Sequence, residues 1–123
     1  MKQVLLVFIG GGVGSALRYL VGIFFKLSAS GFPWGTFTVN VVGSLIIGVL
    51  MGLTFKNTTL LDNQTLLLVT GFCGGFTTFS AFAYENQIFL KEGDLTSFLI
   101  YTIGSVGVGL AAVFLGLFIS KSF

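Results

Sequence analysis

Histidine is missing altogether, cysteine, proline and tryptophan occur once each, and the 123 residues include only six basic and four acidic side chains. Each absence excludes something. Without histidine, the lone Cys73 has no nitrogen partner for a metal, and without a second cysteine it forms no intrachain disulfide. It reads as a small packing residue. The basic residues stand one at a time, so no cluster exists to neutralise a row of phosphates, and nucleic acid is excluded as a partner. Acidic residues are missing from the deep part of every apolar run, Glu85 lying nearest to one. No catalytic group is expected, and the chain is not read as an enzyme.

What is present is apolar. Hydrophobic residues make up 54% of the chain, and mean hydropathy is +1.03, the composition of an integral membrane protein. A helix of about 20 apolar residues crosses a bilayer, and four such spans are expected at roughly 3 to 25, 33 to 55, 65 to 90 and 95 to 119. The connections are short, so residues 1–123 form a single transmembrane domain of all-α class, with the lipid bilayer as its surroundings. Lys2 followed by an apolar run loosely resembles a cleaved signal, but the run continues past residue 20 and three more follow, so it is read as the first span.

Positive charge normally collects on the cytoplasmic side. With four spans, Lys2, Lys56 and Lys121 fall on one side and Lys26 and Lys91 on the other, joined by Arg18 if it snorkels from the end of the first helix. The bias is near zero. One reading is a weak bias that still selects a single orientation. The other is dual topology, with copies inserting both ways and pairing antiparallel. Four helices enclose little space alone, so a pore forms more easily between two copies with closed two-fold symmetry. An antiparallel homodimer is expected.

In the first span, the run GGGVG only superficially resembles a dinucleotide-binding turn. GxGxxG is not met from Gly10 or Gly12, and the first acid, Asp62, is too distant. Gly10 and Gly14 instead suit close approach of another helix, in small-xxx-small spacing. Arg18 is costly at the bilayer centre, so it is expected near a helix end, facing protein or a wet vestibule. Pro33 and Trp34 suit the turn and interfacial start of the second span. There Thr36, Asn40 and Ser44 recur at i, i+4, i+8, a small polar stripe in which Asn40 is the deepest amide, either interhelical glue or a ligand donor. Asn57 and Asn63 head Asn-x-Thr patterns that matter only in a secretory pathway and carry no weight. In the fourth span, Tyr101, Ser105 and Gly109 share a face that is a packing seam or a polar track.

The costliest stretch to place in lipid is GFCGGFTTFSAF, Gly71 to Phe82. Gly71, Gly74 and Gly75 weaken the third helix near its middle, and irregular backbone at that depth survives only buried in protein or lining a cavity. A break at Gly74 to Thr78 frees carbonyls that coordinate a cation and amides that favour an anion. Phe76, Phe79 and Phe82 recur every three residues and are expected on one face, with Thr77 and Ser80 as a neighbouring hydroxyl stripe. Such phenylalanines also serve as plain packing. Hydroxyls, an amide and positive ring edges, with no deep carboxylate, are anion partners, and without fixed charge they hold an ion weakly enough to release it.

GGxxGSALRY with Arg18, WGTFTVNVVGS with Asn40, and above all GFCGGFTTFSAF resemble the small bacterial fluoride channels, Fluc or CrcB, over the full chain. The resemblance implies an antiparallel dual-topology homodimer in the bacterial inner membrane, with four helices per copy and the third broken. It also implies passive export of cytoplasmic fluoride through two pathways and a structural sodium ion at the two-fold axis. By position, Asn40, Phe79, Ser80, Phe82, Tyr101 and Ser105 match the fluoride pathway, the backbone carbonyls of Gly74 and Thr77 the sodium ligands, and Arg18 and Glu85 the vestibule. One departure stands out: the family usually reads FTTFSTF, and here Ala81 follows Ser80, so one hydroxyl is missing beside the phenylalanine pair. A small dual-topology multidrug exporter would share the size and charge balance but needs a carboxylate inside a span, and a structural subunit would use the small-residue stripes for packing only.

Overall fold

The computed structural model describes residues 1–26, 31–55 and 62–123, and all regular structure among them is helical. Lys56 and Asn57 lie outside the described residues. The first helix, α1, runs over Lys2–Lys26 and the second, α2, over Trp34–Phe55. The third span is made of pieces: α3 (Asp62–Thr65), a π-helical stretch Leu66–Cys73, α4 (Gly74–Phe76) and α5 (Phe79–Lys91). The last helix, α6, runs over Leu95–Ser120. Four helical stretches, Lys2–Lys26, Trp34–Phe55, Asp62–Lys91 and Leu95–Ser120, are long and apolar enough to cross a membrane. The chain is a multi-pass membrane protein.

The helix ends follow from local chemistry. Trp34 opens α2 after Pro33, whose carbonyl accepts from Phe37 N at 3.1 Å. At the close of α5, Gly93 takes φ 73°, where a side chain would be strained. That conformation lets Gly93 N donate to Leu90 O (3.2 Å) and Asp94 N to Phe89 O (2.9 Å), satisfying carbonyls the helix leaves open. Asp94 then caps α6 by accepting from Ser97 N at 3.0 Å. Hydrogen bonds from the Ser97 side chain and amide hold the Asp94 carboxyl below its ordinary value.

Packing is backbone against backbone. The principal pairings are α2 with α6 and α1 with the π-helical stretch and α4. A Cβ on Gly14 would stand 2.8 Å from Phe76 N, and one on Gly10 would stand 2.9 Å from Phe72 N. On the other seam, a Cβ on Gly48 would come within 3.1 Å of the Gly116 Cα, and one on Gly116 within 2.7 Å of Val49 N. Apolar side chains gain nothing by leaving lipid, so close van der Waals approach at small residues takes over the role that burial plays in water. The expected Gly10 and Gly14 contact surface is present, and both are buried.

Between α4 and α5 the backbone is extended, with Thr77 at φ −85°, ψ 158° and Thr78 at φ −151°, ψ 120°. This corrects one expectation. Phe76 does not share a face with Phe79 and Phe82, because the helical period does not carry across two extended residues. It is buried, only 6% exposed, and stacks on Phe72 at 5.5 Å and 13°. Thr77 and Ser80 likewise form no common stripe: Thr77 Oγ1 donates to Cys73 O (2.8 Å), whereas Ser80 Oγ pairs with Thr78 Oγ1 (3.2 Å).

Candidate ion pathway

The extended pair is held by a side chain from α2. Asn40 Nδ2 donates to Thr78 O (3.0 Å), and Thr78 N donates to Asn40 Oδ1 (2.7 Å), so one carboxamide engages both polar groups of one residue. In an unbroken helix Thr78 N would donate to Gly74 O. Here it is committed to Asn40, and no hydrogen bond from the described residues reaches the Gly74 or Thr77 carbonyl. Asn40 is thus interhelical glue, and yet its amide nitrogen keeps a second hydrogen. Ser44 Oγ donates to Asn40 O at 2.7 Å, one turn along the same stripe.

A groove of about 470 Å³ opens beside this junction, lined by α2, the π-helical stretch, the first turn of α5 and α6. Its polar lining includes Asn40, Ser44, Thr77, Thr78 and Ser105, its aromatic lining is Phe79 and Phe82, and no charged side chain contributes. Phe79 and Phe82 lie 5.8 Å apart, tilted by 46°. Phe79 is 79% exposed in the single chain, and Phe82 leans on Tyr101 at 5.1 Å. Ser105 Oγ is buried with no hydrogen-bond partner among the described residues. Leaving a hydroxyl unpaired away from water costs about 1 to 3 kcal/mol.

Ser80 is exposed and is not among the residues that line the groove. Ala81 N donates to Thr78 Oγ1 (3.3 Å), so Thr78 caps α5 while also meeting Ser80.

Tyr101 and Glu85 belong to a second cluster. Tyr101 is fully buried, with Phe32 at 5.2 Å and Phe89 at 6.1 Å around its ring. Its hydroxyl donates to Glu85 Oε1 (3.1 Å), and Thr36 Oγ1 donates to Glu85 Oε2 (2.9 Å). Both carboxylate oxygens are therefore fixed from two other helices. Glu85 and Thr36 line a second cavity of about 300 Å³ with Lys26 at its edge. Phe82, which lines the first cavity, leans on Tyr101, whose hydroxyl holds Glu85 at the second.

Arg18 lies inside α1 rather than at its end. Its Nε donates to Gly75 O (3.0 Å), joined by Ser15 Oγ at 3.4 Å. The sites expected from sequence thus separate: Asn40, Phe79, Phe82 and Ser105 with the Gly74 and Thr77 backbone line the groove, Tyr101 joins Glu85 behind it, Arg18 meets α4 from α1, and Ser80 lines neither cavity, meeting the Thr78 hydroxyl instead. Sequence reasoning missed Thr78 and Ser15.

Comparison with known proteins then decides the family. A family model described as CrcB-like protein, Camphor Resistance (CrcB), matches residues 5–117. The chain belongs to the CrcB-like family. Curated relatives match it nearly end to end. A Gloeothece citriformis protein is 51% identical over 126 residues, covering 98% of each chain. One from Phocaeicola vulgatus is 47% identical over 122 residues, covering 98% of this chain and all of the relative. One from Chlorobaculum tepidum is 46% identical over 121 residues, covering 98% and 96%. Each of these relatives is named fluoride-specific ion channel FluC. The groove and junction lie inside the stretch that the CrcB-like model covers.

Proposed function

We propose that this chain is a fluoride-selective channel, passing fluoride out of the bacterial cytoplasm through two pathways of an antiparallel, dual-topology homodimer in the inner membrane. The observation that carries the reading is the groove itself. It combines two phenylalanine rings, a buried hydroxyl without a partner among the described residues and a carboxamide with a spare hydrogen, and no charged side chain lines it. Ring edges and hydroxyl hydrogens attract an anion, and the names of the relatives supply which anion. Fluoride is small and strongly hydrated, so selection replaces its water by short donors in a path too narrow for larger halides. Hydrofluoric acid crosses lipid inward and dissociates at neutral pH, which traps the anion and gives the channel its use.

In this reading the groove is open because one copy supplies only part of its wall, and the second copy, inserted upside down, covers it. Asn40 is the amide donor near the aqueous entrance, Phe79 and Phe82 present ring edges, and Ser80, Ser105 and Tyr101 continue the track. Glu85 serves the vestibule, whereas Arg18, expected beside it, is bonded to Gly75 O and acts on the junction instead. The third span works as a broken helix whose carbonyls at Gly74 and Thr77 hold a structural sodium ion on the two-fold axis. The donor set fits a hard cation: those two oxygens have no partner among the described residues, and Gly74 has open space above its Cα. One copy offers fewer oxygens than such a cation collects, so two copies contribute. Sodium would join the two copies and offset the freed carbonyls.

Planar-bilayer recording tests the reading. Current from the purified protein in asymmetric sodium fluoride should reverse at the fluoride equilibrium potential. Reversal set by chloride or by sodium, or no current, overturns it.

A further inference from the structure

An unbroken helix through the third span would have Thr78 N donate to Gly74 O and Phe79 N to Gly75 O. The first of these is blocked by Asn40, which takes Thr78 N and Thr78 O together. The second is blocked from the opposite side of α4. Gly75 O is already occupied by Arg18 Nε at 3.0 Å and approached by Ser15 Oγ at 3.4 Å. The two helices that flank the junction therefore each place one planar nitrogen group on the backbone atoms that would rejoin it. Arg18 reaches that carbonyl because Gly75 and Gly11 let α1 lie backbone to backbone on α4, a Cβ on Gly75 standing 2.9 Å from the Gly11 Cα.

We propose that Arg18 is a positioning residue for the ion path: its Nε–H, rather than its charge, takes one acceptor position of the Gly75 carbonyl, with the Ser15 hydroxyl at the other, and so keeps α4 and α5 from closing into one helix. Its functional consequence rests on the channel reading, since a closed helix would draw Thr78 and Phe79 out of the groove. The contrast with Asn40 explains the outcome at each carbonyl. Gly75 O is taken, whereas Gly74 O is left open toward the face where Gly74 is exposed.

Side-chain geometry allows donor and charge to be separated. Glutamine carries its amide nitrogen at the same number of bonds from Cα as arginine Nε, without the charge. Methionine fills the same length with no donor. Lysine keeps the charge, with a methylene where Nε stands. Hydrogen–deuterium exchange by mass spectrometry on the full chain in nanodiscs reads the peptide spanning Thr78 to Phe82. Wild type and Arg18→Gln should exchange alike, whereas Arg18→Met and Arg18→Lys should exchange about tenfold more slowly, the protection expected from a single added backbone hydrogen bond.

Exchange in Arg18→Met equal to wild type would show that the Gly75 contact holds nothing open. Arg18→Gln behaving like Arg18→Met, or failing to give a monodisperse protein, would show that the charge is what matters, and either result overturns the proposal. Should Arg18→Met itself not fold, Arg18→Gln and Arg18→Lys decide in the same way. A wild-type protein that carries no fluoride current would count against the channel reading and leave this exchange pattern as it is.

Discussion

At the scale of single residues, the groove divides between side chains that build the junction and side chains left over for an ion. Asn40 does both. Asn40→Asp keeps the acceptor for Thr78 N but removes the donor to Thr78 O and points carboxylate oxygen at a carbonyl, so fluoride flux should fall by more than about tenfold, a lost donor to a charged partner being worth about 1.5 to 3 kcal/mol. Unchanged flux in liposomes would reduce Asn40 to glue. Phe79→Ile and Phe82→Ile keep an apolar side chain and remove the ring edge, and each should lower flux about fivefold to tenfold, in line with about 1 kcal/mol for an oriented aromatic contact. Gel-filtration profiles should stay unaltered, because isoleucine keeps an apolar side chain at each position. Wild-type flux in both variants would make the pair packing residues. These positions were legible in the sequence because their chemistry is anomalous for lipid. The pairing of Asn40 with Thr78 was not, since no spacing rule links residues on different helices. Phe76 misled for the opposite reason: a regular interval of three implies a shared face only while the helix continues.

At the scale of elements, the two glycine seams carry the fold. Gly48→Ala should lower stability by about 1 to 3 kcal/mol, the usual cost of overpacking, because its new methyl would press on Val113 and Gly116 across the α2 and α6 contact. Gly12→Ala on an exposed part of α1 has nothing within 4 Å and should be neutral or stabilising, alanine being the better helix former by about 1 kcal/mol. Thermal unfolding in detergent compares the two, and equal losses would contradict the seam. The turn before α6 supplies a pH dependence. The folded state lowers the Asp94 carboxyl below its ordinary value, so the cap's contribution is present above the unfolded value and is lost as pH falls through the folded one. Asp94→Asn keeps an acceptor for Ser97 N and should flatten that acid-side decline in unfolding temperature. Span boundaries were readable to within a few residues because apolar runs of membrane length leave little choice. The π-helical ladder of Leu66–Cys73 was not, as it shows no pattern distinct from an α-helix.

At the scale of the whole molecule, the charges flank the helices almost evenly: Lys2 opens α1 and Lys26 closes it, while Lys91 ends α5 and Lys121 follows α6. That balance is the reason to expect both orientations. Adding three lysines next to Lys91 should trap one topology and abolish fluoride transport when the variant is expressed alone, with recovery on co-expression of a variant biased the other way. Undiminished transport from the trapped variant alone would remove the antiparallel pair from the account. The central claim, that the groove becomes a selective passive path for fluoride, is met most directly by efflux. Liposomes holding only this protein, loaded with potassium fluoride and treated with a potassium ionophore, should lose fluoride to the electrode within seconds and without a proton gradient, while chloride-loaded liposomes retain their ion. Fluoride held as long as in protein-free liposomes, or chloride lost equally fast, would contradict it.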